Sequence, residues 1–202
     1  KMGIPTVHIE AGLRSGDRSM PEEINRIITD VICHDLFVTE HSGLVNLARE
    51  NVPAEKLHFV GNVMIDSLIN YREASKELSF EEVVDKDLVS KEYILMTMHR
   101  PHNVDYEEGL VSILKIIEDV SKLKRVIFPI HPRTSNNFEK FNLTEKLSSI
   151  ENLTLLHPQG YLQFLKLMDN AALIITDSGG IQEETTYLQV PCITFRDTTE
   201  RP

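Results

Sequence analysis

Four short segments of the sequence gather residue types that move protons or grip anions. They are Thr6-Val7-His8-Ile9-Glu10-Ala11-Gly12-Leu13-Arg14, Thr97-Met98-His99-Arg100-Pro101-His102-Asn103, Pro129-Ile130-His131-Pro132-Arg133-Thr134 and Ile175-Thr176-Asp177-Ser178-Gly179-Gly180. A single histidine at the end of a strand is most often a satisfied structural residue. Three segments that each set a His beside an Arg or a carboxylate point together to acid–base chemistry or to anion binding. In the fourth, Asp177-Ser178-Gly179-Gly180 runs into Ile181-Gln182-Glu183-Glu184, which reads as strand, tight turn and helix. Such a turn bares backbone N–H groups at a helix N-terminus and makes an anion site; equally, it is a Ser/Asp cap with glycines used for close packing. No Gly-Lys-Ser/Thr follows, so it is not a Walker loop.

Pro21-Glu22-Glu23-Ile24-Asn25-Arg26 has proline at a helix start and carboxylates in the first turn, where the helix dipole favours them. Glu22 and Arg26 stand four apart and share a face. They form either a surface salt bridge or the lining of a crevice opposite Glu10. In the second case two carboxylates in different environments, with His99, can handle a proton on each face of a substrate. Of Glu183 and Glu184, one can accept hydrogen bonds from ribose hydroxyls.

The elements that must position these residues alternate short β-branched runs with stretches of helical period, as βα units feeding a parallel sheet do. The sequence predicts strands at 6–9, 35–39, 57–60, 93–98, 126–130, 153–156, 173–176 and 192–195. The clearest helices start at Pro21, Ser42, Val63, Asp105, Tyr161 and Gly180. All four polar segments then lie at carboxyl ends of strands, where open parallel sheets bind ligands. Residues 73–92 break the rhythm with a dense charge mixture and read as a solvated linker or an exposed helix pair. A domain boundary is placed near Gly61-Asn62.

Composition narrows the function classes. Lys plus Arg number 21 against 31 for Asp plus Glu, a net charge of −10, and no basic run exceeds a pair, so a nucleic-acid partner is not expected. No apolar stretch approaches the roughly 20 residues of a spanning helix, so no membrane partner is expected either. Cys33 and Cys192 lack partners at metal-ligand or redox spacing; they read as reduced, buried thiols suited to a cytoplasmic location, with no metal.

Taken together, His8-Ile9-Glu10-Ala11-Gly12-Leu13-Arg14, Pro21-Glu22-Glu23-Ile24-Asn25-Arg26, Val60-Gly61-Asn62, His99-Arg100, Asp177 through Glu184 and Arg196-Asp197-Thr198-Thr199-Glu200-Arg201-Pro202 closely resemble the UDP-N-acetylglucosamine 2-epimerase family. The motifs are collinear over the whole chain. The resemblance implies an α/β, GT-B-type architecture of two Rossmann-like domains with parallel sheets and a substrate cleft between them. Residues 1–61 are expected to be the C-terminal part of the first domain. Residues 62–202 are expected to form the UDP-binding second domain, lacking its C-terminal end.

For chemistry, the resemblance implies the non-hydrolysing reaction without a cofactor: reversible inversion at C2 of UDP-GlcNAc to UDP-ManNAc by elimination of UDP to 2-acetamidoglucal and readdition. Glu10, Glu22 and Arg26 fall on sugar-side positions, the two glutamates as acid/base groups. His99 and Ser178-Gly179-Gly180 fall on the diphosphate positions, Glu184 on the ribose-binding glutamate and Arg201 on a phosphate-region arginine. The family usually assembles as a homodimer. Rival readings are hydrolysing members that release UDP and ManNAc, siblings acting on diacetamido-uronic sugars, a GT-B glycosyltransferase and a nucleotide-sugar sensor. Glu10 and Glu22 argue against the transferase, which needs an acceptor site instead of two such carboxylates.

Overall fold

The computed structural model describes residues 3–196. The chain divides into two compact units, residues 3–66 together with Arg196, and Ser67–Phe195. The first unit runs β1 (Val7–Ile9), α1 (Pro21–Ile32), β2 (Asp35–Val38), α2 (His41–Arg49) and β3 (Leu57–Phe59). Its strands pair in parallel in the order β1-β2-β3. The small core contains Ala11, Cys33, Leu36, Val38 and Leu47, with Leu36 and Val38 two apart on β2 and so on one face. A 14-residue helix, α3 (Val63–Lys76), starts in the first unit and ends in the second.

The second unit continues with α4 (Phe80–Val83), β4 (Tyr93–Thr97), α5 (Pro101–Val104), α6 (Glu107–Val120), β5 (Arg125–Pro129), α7 (Pro132–Lys140), α8 (Thr144–Ser148), β6 (Leu153–Leu156), α9 (Tyr161–Asn170), β7 (Leu173–Thr176), α10 (Gly179–Leu188) and β8 (Cys192–Thr194). Its five strands are parallel, in the order β6-β5-β4-β7-β8. Both faces of this sheet are covered, which is why its central strands read as unbroken apolar runs. On one face Tyr93, Leu95, Ile127 and Ile174 pack with Leu68, Leu165 and Met168. On the other, Ile94, Met96, Val126, Phe128 and Ile175 pack with Leu110, Ile113, Leu114 and Phe138.

All eight strands expected from the sequence are present, with ends shifted by at most one residue. Two expectations need correction. Residues 73–92 are neither a linker nor an exposed helix pair: Val83 and Leu88 belong to the core of the second unit, and Asp85 pairs with Arg125. The helix expected from Asp105 begins at Glu107, because Asp105 instead takes the Arg133 guanidinium with two bonds, 2.7 and 2.6 Å. Among the described residues, no helix is long and apolar enough to cross a membrane.

Candidate active site

In the first unit the segment following β1 is folded by buried carboxylates. Asp30, on α1, lies 2.6 Å from His8 Nδ1 and accepts from the Gly12 amide at 3.1 Å and from Arg14 Nη2 at 2.7 Å. Glu23, one turn into the same helix, accepts from the Ser15 amide at 2.9 Å, the Ser15 hydroxyl at 3.1 Å and the Gly16 amide at 3.0 Å. Arg26 Nη1 adds a contact at 3.2 Å. Burial alone pushes the Glu23 carboxyl up; these donors more than reverse it, so it stays ionised below the usual carboxylate range. The helix start therefore grips the segment that carries Glu10.

Glu10 directly follows β1 with φ 66°, a left-handed conformation that costs a non-glycine residue about 1–2 kcal/mol. Observed at a candidate site, such a conformation marks a side chain held where the strand would not put it. Gly12 has φ +81°, and a Cβ there would lie 2.5 Å from the Gly43 carbonyl oxygen. Only glycine lets the segment lie this close to α2. Glu22 is exposed in the first turn of α1, and Arg26 is half-buried.

In the second unit the order of strands places the switch point beside β4, whose neighbours β5 and β7 continue in opposite directions across the sheet. In open parallel sheets such a switch point, at the carboxyl ends of the strands, is where ligands bind. Asp177, with its side chain wholly buried, bridges the segments after β4 and β7. Its carboxylate accepts from the His99 amide at 3.1 and 3.0 Å, the Arg100 amide at 2.8 Å and Asn103 Nδ2 at 3.0 Å. Burial favours the neutral acid, but these donors and the adjacent imidazole win, and the pKa lies below the ordinary value.

The sequence leaves the turn that follows open between an anion site and a capped, closely packed start. Ser178 precedes α10 in an extended conformation and makes no side-chain cap, and Asp177 turns away to the other segment, while Gly179 is buried, as close packing of the helix start requires. Gly179 and Gly180 begin the 10-residue helix, whose first-turn amides have no partner within the helix. Glu184, in the second turn and 6% exposed, accepts from the Tyr161 hydroxyl at 3.0 Å. Burial pushes its carboxyl up, an effect the Tyr161 hydroxyl only partly offsets. Burial and the neighbouring Glu184 also push the Tyr161 phenol up. His131, after β5, has its ring centroid 5.7 Å from that of His99.

His99 and the Ser178-Gly179-Gly180 turn are thus linked within the second unit through Asp177, with Glu184 on the same helix as the glycines. Glu10, Glu22 and Arg26 belong to the first unit, and Arg201 lies outside the described residues. Sequence reasoning missed Asp30, Glu23, Asp177 and Tyr161 as organisers. Asp177 alone had a signal, its place directly after an apolar strand. Among the described residues, no group of three or more His, Cys, Asp or Glu side chains is placed to hold a metal ion.

Over residues 1–202 the chain matches the family described as UDP-N-acetylglucosamine 2-epimerase. It is 45% identical over 205 residues to the UDP-N-acetylglucosamine 2-epimerase of Methanocaldococcus jannaschii, an alignment covering 100% of this chain and 56% of that protein. The crystal structure of the M. jannaschii UDP-GlcNAc 2-epimerase in complex with UDP-GlcNAc and UDP matches with a TM-score of 0.89 at 44% identity, covering 98% of this chain and 55% of that one. The Neisseria meningitidis UDP-GlcNAc 2-epimerase bound to UDP-GlcNAc matches with a TM-score of 0.86 at 35% identity, covering 98% and 55%. The chain spans about half the length of the curated relatives it matches. Its two Rossmann-like units have the α/β, GT-B-type fold of these structures.

Proposed function

The chain belongs to the UDP-N-acetylglucosamine 2-epimerase family, and from that premise we propose that the full-length protein interconverts UDP-GlcNAc and UDP-ManNAc. A base removes the C2 hydrogen while the bond from C1 to the diphosphate oxygen breaks, leaving 2-acetamidoglucal and UDP. A proton then returns to the opposite face of C2, and the diphosphate oxygen re-forms its bond to C1. The reaction is redox-neutral overall and the residues assigned need no cofactor. Glu10 and Glu22 serve as acid and base beside Arg26. His99 and the Ser178-Gly179-Gly180 amides hold the diphosphate through departure and return, Arg201 is assigned as a phosphate-region arginine, and Glu184 receives ribose hydroxyls.

The observation that carries this reading is Asp177 itself: its carboxylate ties the segment carrying His99 to the glycine-rich start of α10 at the switch point, where an anionic leaving group can meet an imidazole and backbone amides. The sugar-nucleotide complexes of the M. jannaschii and N. meningitidis relatives support the substrate class. The reading takes residues 1–61 as the end of one domain and residues 62–202 as most of the next. It places the protein in the reducing cytoplasm, in keeping with two free thiols, as a homodimer that light scattering on the full-length form would test. The deciding experiment is proton NMR of that form with UDP-GlcNAc in deuterium oxide. Deuterium at C2 together with UDP-ManNAc is expected; free UDP with ManNAc would replace this reading with hydrolysis, and an unlabelled, unchanged sugar would end it.

A further inference from the structure

Asp177 does more than tie two segments together. His99 Nδ1 lies 3.1 Å from Asp177 Oδ1, within reach of a hydrogen bond, while the imidazole keeps 34% exposure and the carboxylate has none. The same carboxylate fixes the main chain on which that ring stands, through the amides of His99 and Arg100 and the side chain of Asn103. Asn103 is itself held from the other side, donating to the Phe195 carbonyl at 3.2 Å. In the neighbouring ring, His131 Nδ1 accepts from the Arg133 amide at 3.1 Å. An ionised carboxylate accepts only, so it favours a proton over a lone pair on the imidazole nitrogen facing it.

We propose that Asp177 is a positioning residue that fixes His99 with Nδ1 protonated, so that any further proton is gained at Nε2, the nitrogen offered to the departing diphosphate. The assignment of Nε2 to diphosphate rests on the function proposed above; the choice of tautomer does not. A buried carboxylate that orients an imidazole in this way is a recurrent device in catalysis, and replacing it with an amide yields the wrong tautomer.

Full-length protein carrying isotope-labelled histidine separates the two halves by long-range proton–nitrogen NMR correlation, with His99 assigned by its loss in His99→Gln. Neutral His99 is expected as the Nδ1–H form. In Asp177→Asn the amide presents its own N–H, and the ring should turn to the Nε2–H form, with kcat falling about 10²- to 10⁴-fold and KM moving less than about threefold. An Nε2–H ring in the unmutated protein overturns the proposal, as does an unchanged ring in folded Asp177→Asn. Should that variant not fold, the unmutated ring alone decides. A switched ring with unchanged kcat would overturn the link to turnover. An Nδ1–H ring in a protein that epimerises nothing would support the positioning role and overturn the proposed function.

Discussion

Glu10 combines a chemical role with a backbone it would not choose. Glu10→Gln keeps the left-handed conformation and removes only the ionisable group, so turnover by the full-length protein should fall about 10²- to 10⁴-fold with little change in melting temperature. Glu10→Gly relieves the conformation at φ 66° and should abolish turnover while offsetting part of the added flexibility of the unfolded chain, holding stability within about 1 kcal/mol. Steady-state rates and thermal melts of the two variants together separate function from strain. Tyr161→Phe tests a different residue: losing one hydrogen bond to the buried Glu184 should weaken UDP binding about 3- to 30-fold, measured by calorimetry. Local motifs made Glu10, His99 and Glu184 visible in the sequence. Their organisers were not, because Asp177 reaches His99 across 78 positions and Tyr161 reaches Glu184 across 23, and no spacing rule spans such distances.

Strands were legible because burial on both faces demands unbroken apolar runs, as in Tyr93-Ile94-Leu95-Met96. Residues 73–92 were not legible: two buried apolar side chains, Val83 and Leu88, sit among charges whose solvated appearance hid them. Leu95, fully buried between β5 and β7, should cost about 2–5 kcal/mol when cut to Ala, read by denaturant unfolding. Gly12 carries the element-level demand of the first unit. Gly12→Ala would drive a methyl against the Gly43 carbonyl and Leu47 and strain the backbone as well, so β1 and α2 must separate. A loss of about 2–4 kcal/mol is expected, with an intact melt ruling out the close approach.

For the whole molecule, acid stability follows from the carboxylates held below their ordinary range. Glu23 and Asp177 are the buried pair, and Asp85 and Asp105, being part-exposed, count for less. Each contributes stability that is complete above its unfolded pKa of about 4 and is lost as pH falls through its lower folded value. Glu184 has the opposite sign, since its raised pKa makes the folded state gain as it protonates. The sum predicts unfolding that sets in below about pH 4, followed by circular dichroism, with Glu23→Gln, which lacks the Glu23 contribution at every pH, unfolding at higher pH.

The position of β4 between β5 and β7 also has a temporal meaning. β4 and β5 follow one another through the crossover of α5 and α6, but β7 docks against β4 only after residues 98–172 have folded away. Such distant pairings form late. Asp177 arrives with β7, so during synthesis or refolding the imidazole of His99 stays loose until nearly all of this sheet exists, and recovered turnover becomes a clock for the last step of assembly.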